Sequence, residues 1–130
     1  MINFYTDGAC NCEKSGGWAY YCPEFNLRVC GQQKDTTNNR MELTAILEVI
    51  NFLKLSELDI PEITIHSDSA WSIGAITQNW NLKENIDLVQ EIKDLIQGTR
   101  THIVFNKVKG HSGLEGNVIV DSLAVTMSNL

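Results

Sequence analysis

The apolar pattern changes period partway along this 130-residue chain, and that change limits the fold more than any other feature. Ile2 to Thr6 alternates and is rich in strand formers, so it reads as a first strand. Trp18 to Cys22 and Leu27 to Gln32 read as two more, joined by a Pro23-Glu24-Phe25-Asn26 turn. From Met41 the spacing becomes helical through Ala45, Leu47, Ile50 and Leu53, with Thr37 or Asn38 as the cap. Strand patterns return at Ile63–Ser67 and His102–Val108. Helical ones fall at Ser69 to about Thr77, Ile86–Gln97 and Glu115–Met127, and Gly8–Gly17 reads as a loop. In the Ile86–Gln97 helix the expected apolar stripe is Ile86, Val89, Ile92 and Ile96.

The order β-β-β-α-β-α-α-β-α predicts an α/β fold, a five-stranded mixed sheet flanked by helices. Right-handed crossovers would make the later strands parallel to the first. Asp7 and Asp68 then fall at the carboxyl ends of parallel strands, where open α/β sheets place their sites. Length predicts a single domain over 1–130.

Composition narrows the function. Lys and Arg number 10 against 16 Asp and Glu, a net charge of -6, which argues against tight nonspecific grip on nucleic acid. A nucleic acid substrate stays open, because bound divalent ions reverse the local charge. No apolar run approaches the ~20 residues of a membrane span, and the first residues lack a basic signal region. A cytoplasmic chain with no membrane association is expected. Cys10, Cys12, Cys22 and Cys30 then read as free thiols, since C-x2-C spacing and a nearby His are missing.

Four acids carry the chemistry: Asp7 before Gly8, Glu42 near a helix start, Asp68 in Ser67-Asp68-Ser69, and Asp121 at midhelix beside Val120. Gathered together they would form an all-oxygen pocket suited to hard divalent cations. Singly, each has a plainer explanation. Asp7 can form a turn, Asp68 can cap a helix, and Asn39-x-x-Glu42 and Ser112-x-x-Glu115 both read as capping boxes. His111 alone reads as a solvated loop residue.

Five segments resemble the type 1 ribonuclease H family, in the family's order and across essentially the whole chain. They are Tyr5-Thr6-Asp7-Gly8, Thr36-Thr37-Asn38-Asn39-Arg40-Met41-Glu42-Leu43, Ser67-Asp68-Ser69, Val108-Lys109-Gly110-His111 and Asn117-x3-Asp121. The resemblance implies an endoribonuclease that hydrolyses the RNA strand of RNA–DNA hybrids, leaving 5'-phosphate and 3'-hydroxyl ends. It maps the metal-binding acids onto Asp7, Glu42, Asp68 and Asp121, and a catalytic histidine onto His111. Two Mg2+ ions are implied, with Mn2+ as the alternative. Substrate contacts are implied for Gly8, Cys10, Thr37, Asn38, Asn39 and Asn117, and Trp80 is read as a stacking or part-buried aromatic.

The chain departs from the family's pattern around that pocket. Ala70 stands where Gln is common, Asp35 where a basic residue is common, and Val118 where an acid is common. The first loop is short around Glu13-Lys14-Ser15. Between Gln78 and Asp87 the family's extra helix and basic protrusion are missing. A monomer with thin substrate grip is expected, aided by a polymerase or hybrid-binding partner. Two other readings stand beside the leading one: a domain working with a reverse transcriptase, and a catalytically silent hybrid-binding module.

Overall fold

The computed structural model describes residues 1–110 and 114–130. Five strands and four helices follow in the order β1 (Ile2–Cys10), β2 (Gly16–Cys22), β3 (Leu27–Gln33), α1 (Asn38–Ser56), β4 (Glu62–Ser67), α2 (Ala70–Thr77), α3 (Ile86–Gly98), β5 (His102–Lys107) and α4 (Glu115–Ser128). They build one mixed sheet in the order β3-β2-β1-β4-β5. β1, β2 and β3 are antiparallel neighbours, and β4 and β5 run parallel to β1. The expected α/β class and mixed five-stranded sheet are what the chain forms.

Alternation along the strands sends successive side chains to opposite faces. Phe4, Tyr20 and Cys22 face α1, where Leu43, Ile46, Val49 and Ile50 join Ile63, Ile65 and Ile92 in the main core. Phe4 lies 5.9 Å from Tyr20 and 6.0 Å from Phe52, ring centre to ring centre, so aromatic packing ties β1, β2 and α1 together. On the other face Ala19, Val120 and Ala124 make a smaller cluster with Tyr5, Tyr21 and Cys30, and this holds α4 to β1 and β2.

Three expectations need correction. β1 does not stop at Thr6. Its parallel pairing with β4 ends at Thr6–Ser67, but its antiparallel pairing with β2 continues from Asp7–Ala19 to Cys10–Gly16. Asp7 therefore lies inside a strand, and the Asp7-Gly8 pair makes no turn. The turn is shorter and lies at Asn11–Ser15, where Asn11 Oδ1 accepts from the Glu13 and Ser15 N–H groups at 3.0 Å each. Second, Ile86 is 56% exposed, and the buried stripe of α3 is Leu88, Val89 and Ile92. Third, Asn39 does not cap α1. Thr37 does, its hydroxyl accepting from Arg40 N–H at 3.2 Å, which frees Glu42 from the capping-box explanation. Ser112 and His111 lie outside the described residues, and with them the second capping box.

Gly17 lets α4 sit close on β2. A Cβ there would lie 2.7 Å from both Met127 Cβ and Ser128 N. Gly17→Ala is expected to push α4 outward and cost about 1–3 kcal/mol, read as a lower urea midpoint. An unchanged midpoint would show that α4 packs less tightly than described.

Candidate active site

Four acids, from three elements and one connection, converge at the edge where β1 parts from β4. Asp7 is on β1, Glu42 one turn into α1, Asp68 just after β4, and Asp121 in the middle of α4. One carboxylate oxygen each from Asp7, Glu42 and Asp68 lie within 4.8 Å of one another. Asp121 lines the same cavity, of about 360 Å³, together with Gly8, Ala9, Asn38 and Ser69.

The local sequence explains each approach. Gly8 faces α1, and a Cβ there would collide with the backbone of Met41 and Glu42. Its missing side chain lets α1 bring Glu42 down onto β1. The Gly8 N–H donates both to Asp7 Oδ1 at 2.9 Å and to Glu42 Oε1. Alternation turns Asp7 toward the face where α4 delivers Asp121. Ser69 caps α2, its hydroxyl accepting from Ser72 N–H at 3.1 Å. Asp68 is thus relieved of the capping duty that its position suggests.

Asp7 and Glu42 are both buried, at 5% and 4% exposure. Burial pushes the Asp7 carboxyl to about 6 against an ordinary 3.8. Its hydrogen bond with Glu42 draws it back, and the Asp68 charge raises it again. Glu42 is held well above the usual carboxylate range, by burial first and then by Asp7. Several carboxylates crowded out of water oppose their own ionisation. Their oxygens are hard donors set around one cavity, which is the donor set that Mg2+ or Mn2+ takes. The acids present therefore fit divalent metal.

The remaining expected residues are spread around this cavity. Asn38 lines it, while Asn39 and Trp80 line a neighbouring one of about 510 Å³ with Trp71 and Lys83. Thr37 is exposed at the head of α1. Cys10 donates its thiol to the Thr36 carbonyl at 3.4 Å, and Asn117 is buried on α4 one turn before Asp121. All four cysteines are free thiols. Sequence reasoning missed Trp71, whose place beside Trp80 only the helix geometry of α2 reveals. A further cavity of about 650 Å³ lies between the far ends of α1 and α3. Its rim mixes Lys54 and Arg100 with Glu57, Asp59 and Asp94, without the converging acids.

Acids converging where two strands of an α/β sheet part occupy the kind of crevice in which such sheets carry their sites. A family model described as RNase H matches residues 1–129. A ribonuclease H of Caldicellulosiruptor saccharolyticus is 38% identical over 144 positions, covering 97% of this chain and 94% of the relative. One of Ruthia magnifica is 34% identical, covering 95% and 92%, and one of Orientia tsutsugamushi is 37% identical, covering 95% and 79%. The chain belongs to the RNase H family. No helix among the described residues is long and apolar enough to cross a membrane.

The pKa of Asp7 has a signed consequence for stability. A carboxyl raised on folding stabilises the fold most below its ordinary value, and this contribution is lost as pH rises through about 6. Metal-free protein should therefore be weakened at higher pH by Asp7, and Asp7→Asn should relieve it. The variant is expected to gain about 1–3 kcal/mol over wild type at about pH 8 and almost nothing at about pH 4, and to lose the stabilisation by Mg2+. Thermal melts with chelator and with Mg2+ read both effects. A difference between the two proteins that ignores pH would contradict the burial argument.

Proposed function

We propose that this protein is an Mg2+-dependent endoribonuclease that hydrolyses the RNA strand of RNA–DNA hybrids. The observation that carries the reading is the convergence of Asp7, Glu42 and Asp68, with Asp121 on the same cavity, in a chain of the RNase H family. The relatives are ribonucleases H by name, and the acid cluster supplies the chemistry that such a name requires.

Bound at this cluster, two Mg2+ ions would activate a water for attack on the phosphodiester and stabilise the leaving 3'-oxygen. Asp7 is central to the set, since it touches Glu42 and feels both Asp68 and Asp121. With Glu42, Asp68 and Asp121 it would hold the metal. Glu42 and Asp7 are fixed by one N–H, that of Gly8, so their oxygens need little reordering when a cation enters. Water's oxygen bonds to phosphorus and the bond from phosphorus to the 3'-oxygen breaks. The products are a 5'-phosphate and a 3'-hydroxyl. His111, outside the described residues, takes the proton-shuttling or product-release role in this reading.

The RNA strand is read where Asn38 borders the acid cavity, with Asn39 beside it and the Gly8–Cys10 strand end opposite. A 2'-hydroxyl is the group that separates RNA from DNA there. Thr37 accepts Arg40 N–H with its hydroxyl oxygen, which leaves its O–H to donate to a phosphate of the other strand. Trp80 offers an exposed ring for stacking against a sugar or base, and Asn117, one turn before Asp121 on α4, takes a further substrate contact in this reading. The chain works as a monomeric domain over 1–130 in the cytoplasm.

Cleavage of a uniform hybrid with Mg2+, beside duplex RNA and duplex DNA, tests the reading. Hybrid alone should be cut, and Asp7→Asn should lower kcat roughly 10³-fold. Cleavage unchanged in the variant would refute the site, and an inactive wild type would refute the enzyme. Grip is a separate matter. Lys83 is the only cation between Gln78 and Asp87, accompanied by Glu84. Few phosphate contacts give a high KM and a salt dependence equivalent to about two or three neutralised phosphates. Fusion to a basic hybrid-binding module should lower the KM sharply. A low KM for the chain alone, with a steep salt slope, would contradict this.

A further inference from the structure

Arg40 belongs to the most distinctive motif of the chain, yet it lines neither the acid cavity nor the cavity beside it. Its guanidinium reaches across to the start of α3. Nη1 donates to Asn85 Oδ1 at 3.1 Å and to Asp87 Oδ1 at 3.3 Å, and Nη2 donates to Asp87 Oδ2 at 3.2 Å. Asn85 is the N-cap residue of α3 and sits at φ 60°, in the left-handed region. Asn is a favoured cap, but here its side chain makes no capping bond to the helix. With its backbone in the left-handed region rather than the extended one that capping uses, Asn85 turns its side-chain oxygen to Arg40. The Arg40 contacts tie the start of α3 to the start of α1.

The segment before that junction forms one wall of the second cavity. Trp80, Asn81, Lys83 and Glu84 face Asn39 and Trp71 across it. The wall is anchored at both ends. At the start, the Trp80 ring lies on Gly74, where a Cβ would come within 2.8 Å of ring carbon Cζ3. At the end, Arg40 grips Asn85 and Asp87. Arg40 directly follows Asn38 and Asn39, which border the two cavities. Arg40 thus ties the end of the 80–84 segment to the α1 side of the groove.

We infer that Arg40 is a positioning residue for substrate, which fixes the Trp80–Glu84 wall against Asn39 and so sets the width of the groove leading from the acid cavity. This rests on the hybrid-cleaving reading above. Arg40 acts through Asn85 and Asp87 and touches no reacting atom. An exposed ion pair alone does little for stability. Arg40 and Asp87 side chains are 32% and 74% exposed, so the gain expected from this pair is geometry more than folding energy. The two-pronged fork with a third bond to Asn85 is a geometry that Lys cannot reproduce.

Steady-state cleavage of a hybrid by wild type, Arg40→Ala, Arg40→Lys, Asp87→Ala and the Arg40→Ala/Asp87→Ala pair tests the inference, with urea midpoints to confirm folding. Arg40→Ala should raise KM about tenfold with kcat within about twofold, because positioning is lost while the acids stay in place. Arg40→Lys should fall between. Asp87→Ala should also raise KM, and the double variant should be no worse than Arg40→Ala alone, as partners in one contact are not additive. The sign for Asp87→Ala is decisive. If Arg40 instead gripped a phosphate itself, removing Asp87 would free its charge and lower KM. A lowered or unchanged KM, or additive effects, would overturn the inference. Wild type that cuts no hybrid would count against the proposed function instead. Fluorescence anisotropy on labelled hybrid would then make the same comparison of variants through Kd, and equal Kd values would overturn the inference.

Discussion

The organising constraint of this structure is one backbone N–H shared by two buried carboxylates. Gly8 donates to both Asp7 and Glu42, and around that point the fold holds Asp68 and Asp121 as well. Mutual repulsion in a site removed from water would drive such groups apart. They stay because the elements that carry them are fixed by the core. Leu43, Ile46, Val49 and Ile50 seat α1 on the sheet, while Val120 and Ala124 seat α4 on the opposite face. Hydrophobic packing beside the site thus holds the acids close together, and their raised pKa values show that protons take up part of the repulsion.

Topology makes the convergence available. β1 is the middle strand of five, and its parallel pairing with β4 ends one residue before Asp7. At that position one neighbour has left the sheet and the other, β2, continues. Asp7 remains rigid through β2 while the gap left by β4 opens beside it. Helices on the two faces then reach the gap from either side. This is the strand-edge crevice in which α/β sheets carry their sites, met here inside a strand rather than at its end.

Much of this was legible in the sequence, and what was not has a physical cause. The change from period two to helical spacing gave the order of elements, and the acids stood within recognisable motifs. The continuation of β1 was hidden because Asp-Gly is also a turn signal, and only pairing with β2 decides between the two. The exposure of Ile86 was hidden for a related reason. Its residue type fits an apolar stripe, but the helix entry at Asn85 rotates that stripe onto Leu88, Val89 and Ile92. The clamp from Arg40 to α3 spans 45 and 47 residues, and no local pattern encodes such a contact. The wall from Trp80 to Glu84 is the least legible part, since it resembles a surface loop until its cavity is seen.

The measurement that bears most directly on the acid cluster is the proton balance of metal binding. Deprotonated carboxylates are the metal ligands, so an ion entering this cluster must displace the protons that Asp7 and Glu42 hold. Titration calorimetry with Mg2+ at about pH 6, in two buffers of different ionisation enthalpy, counts them. The expected result is net proton release by wild type and a smaller release by Asp7→Asn, in which Glu42 alone is left to give one up. Equal heats in the two buffers, or the same release from the variant, would contradict the claim that the fold holds its acids partly protonated until a cation binds.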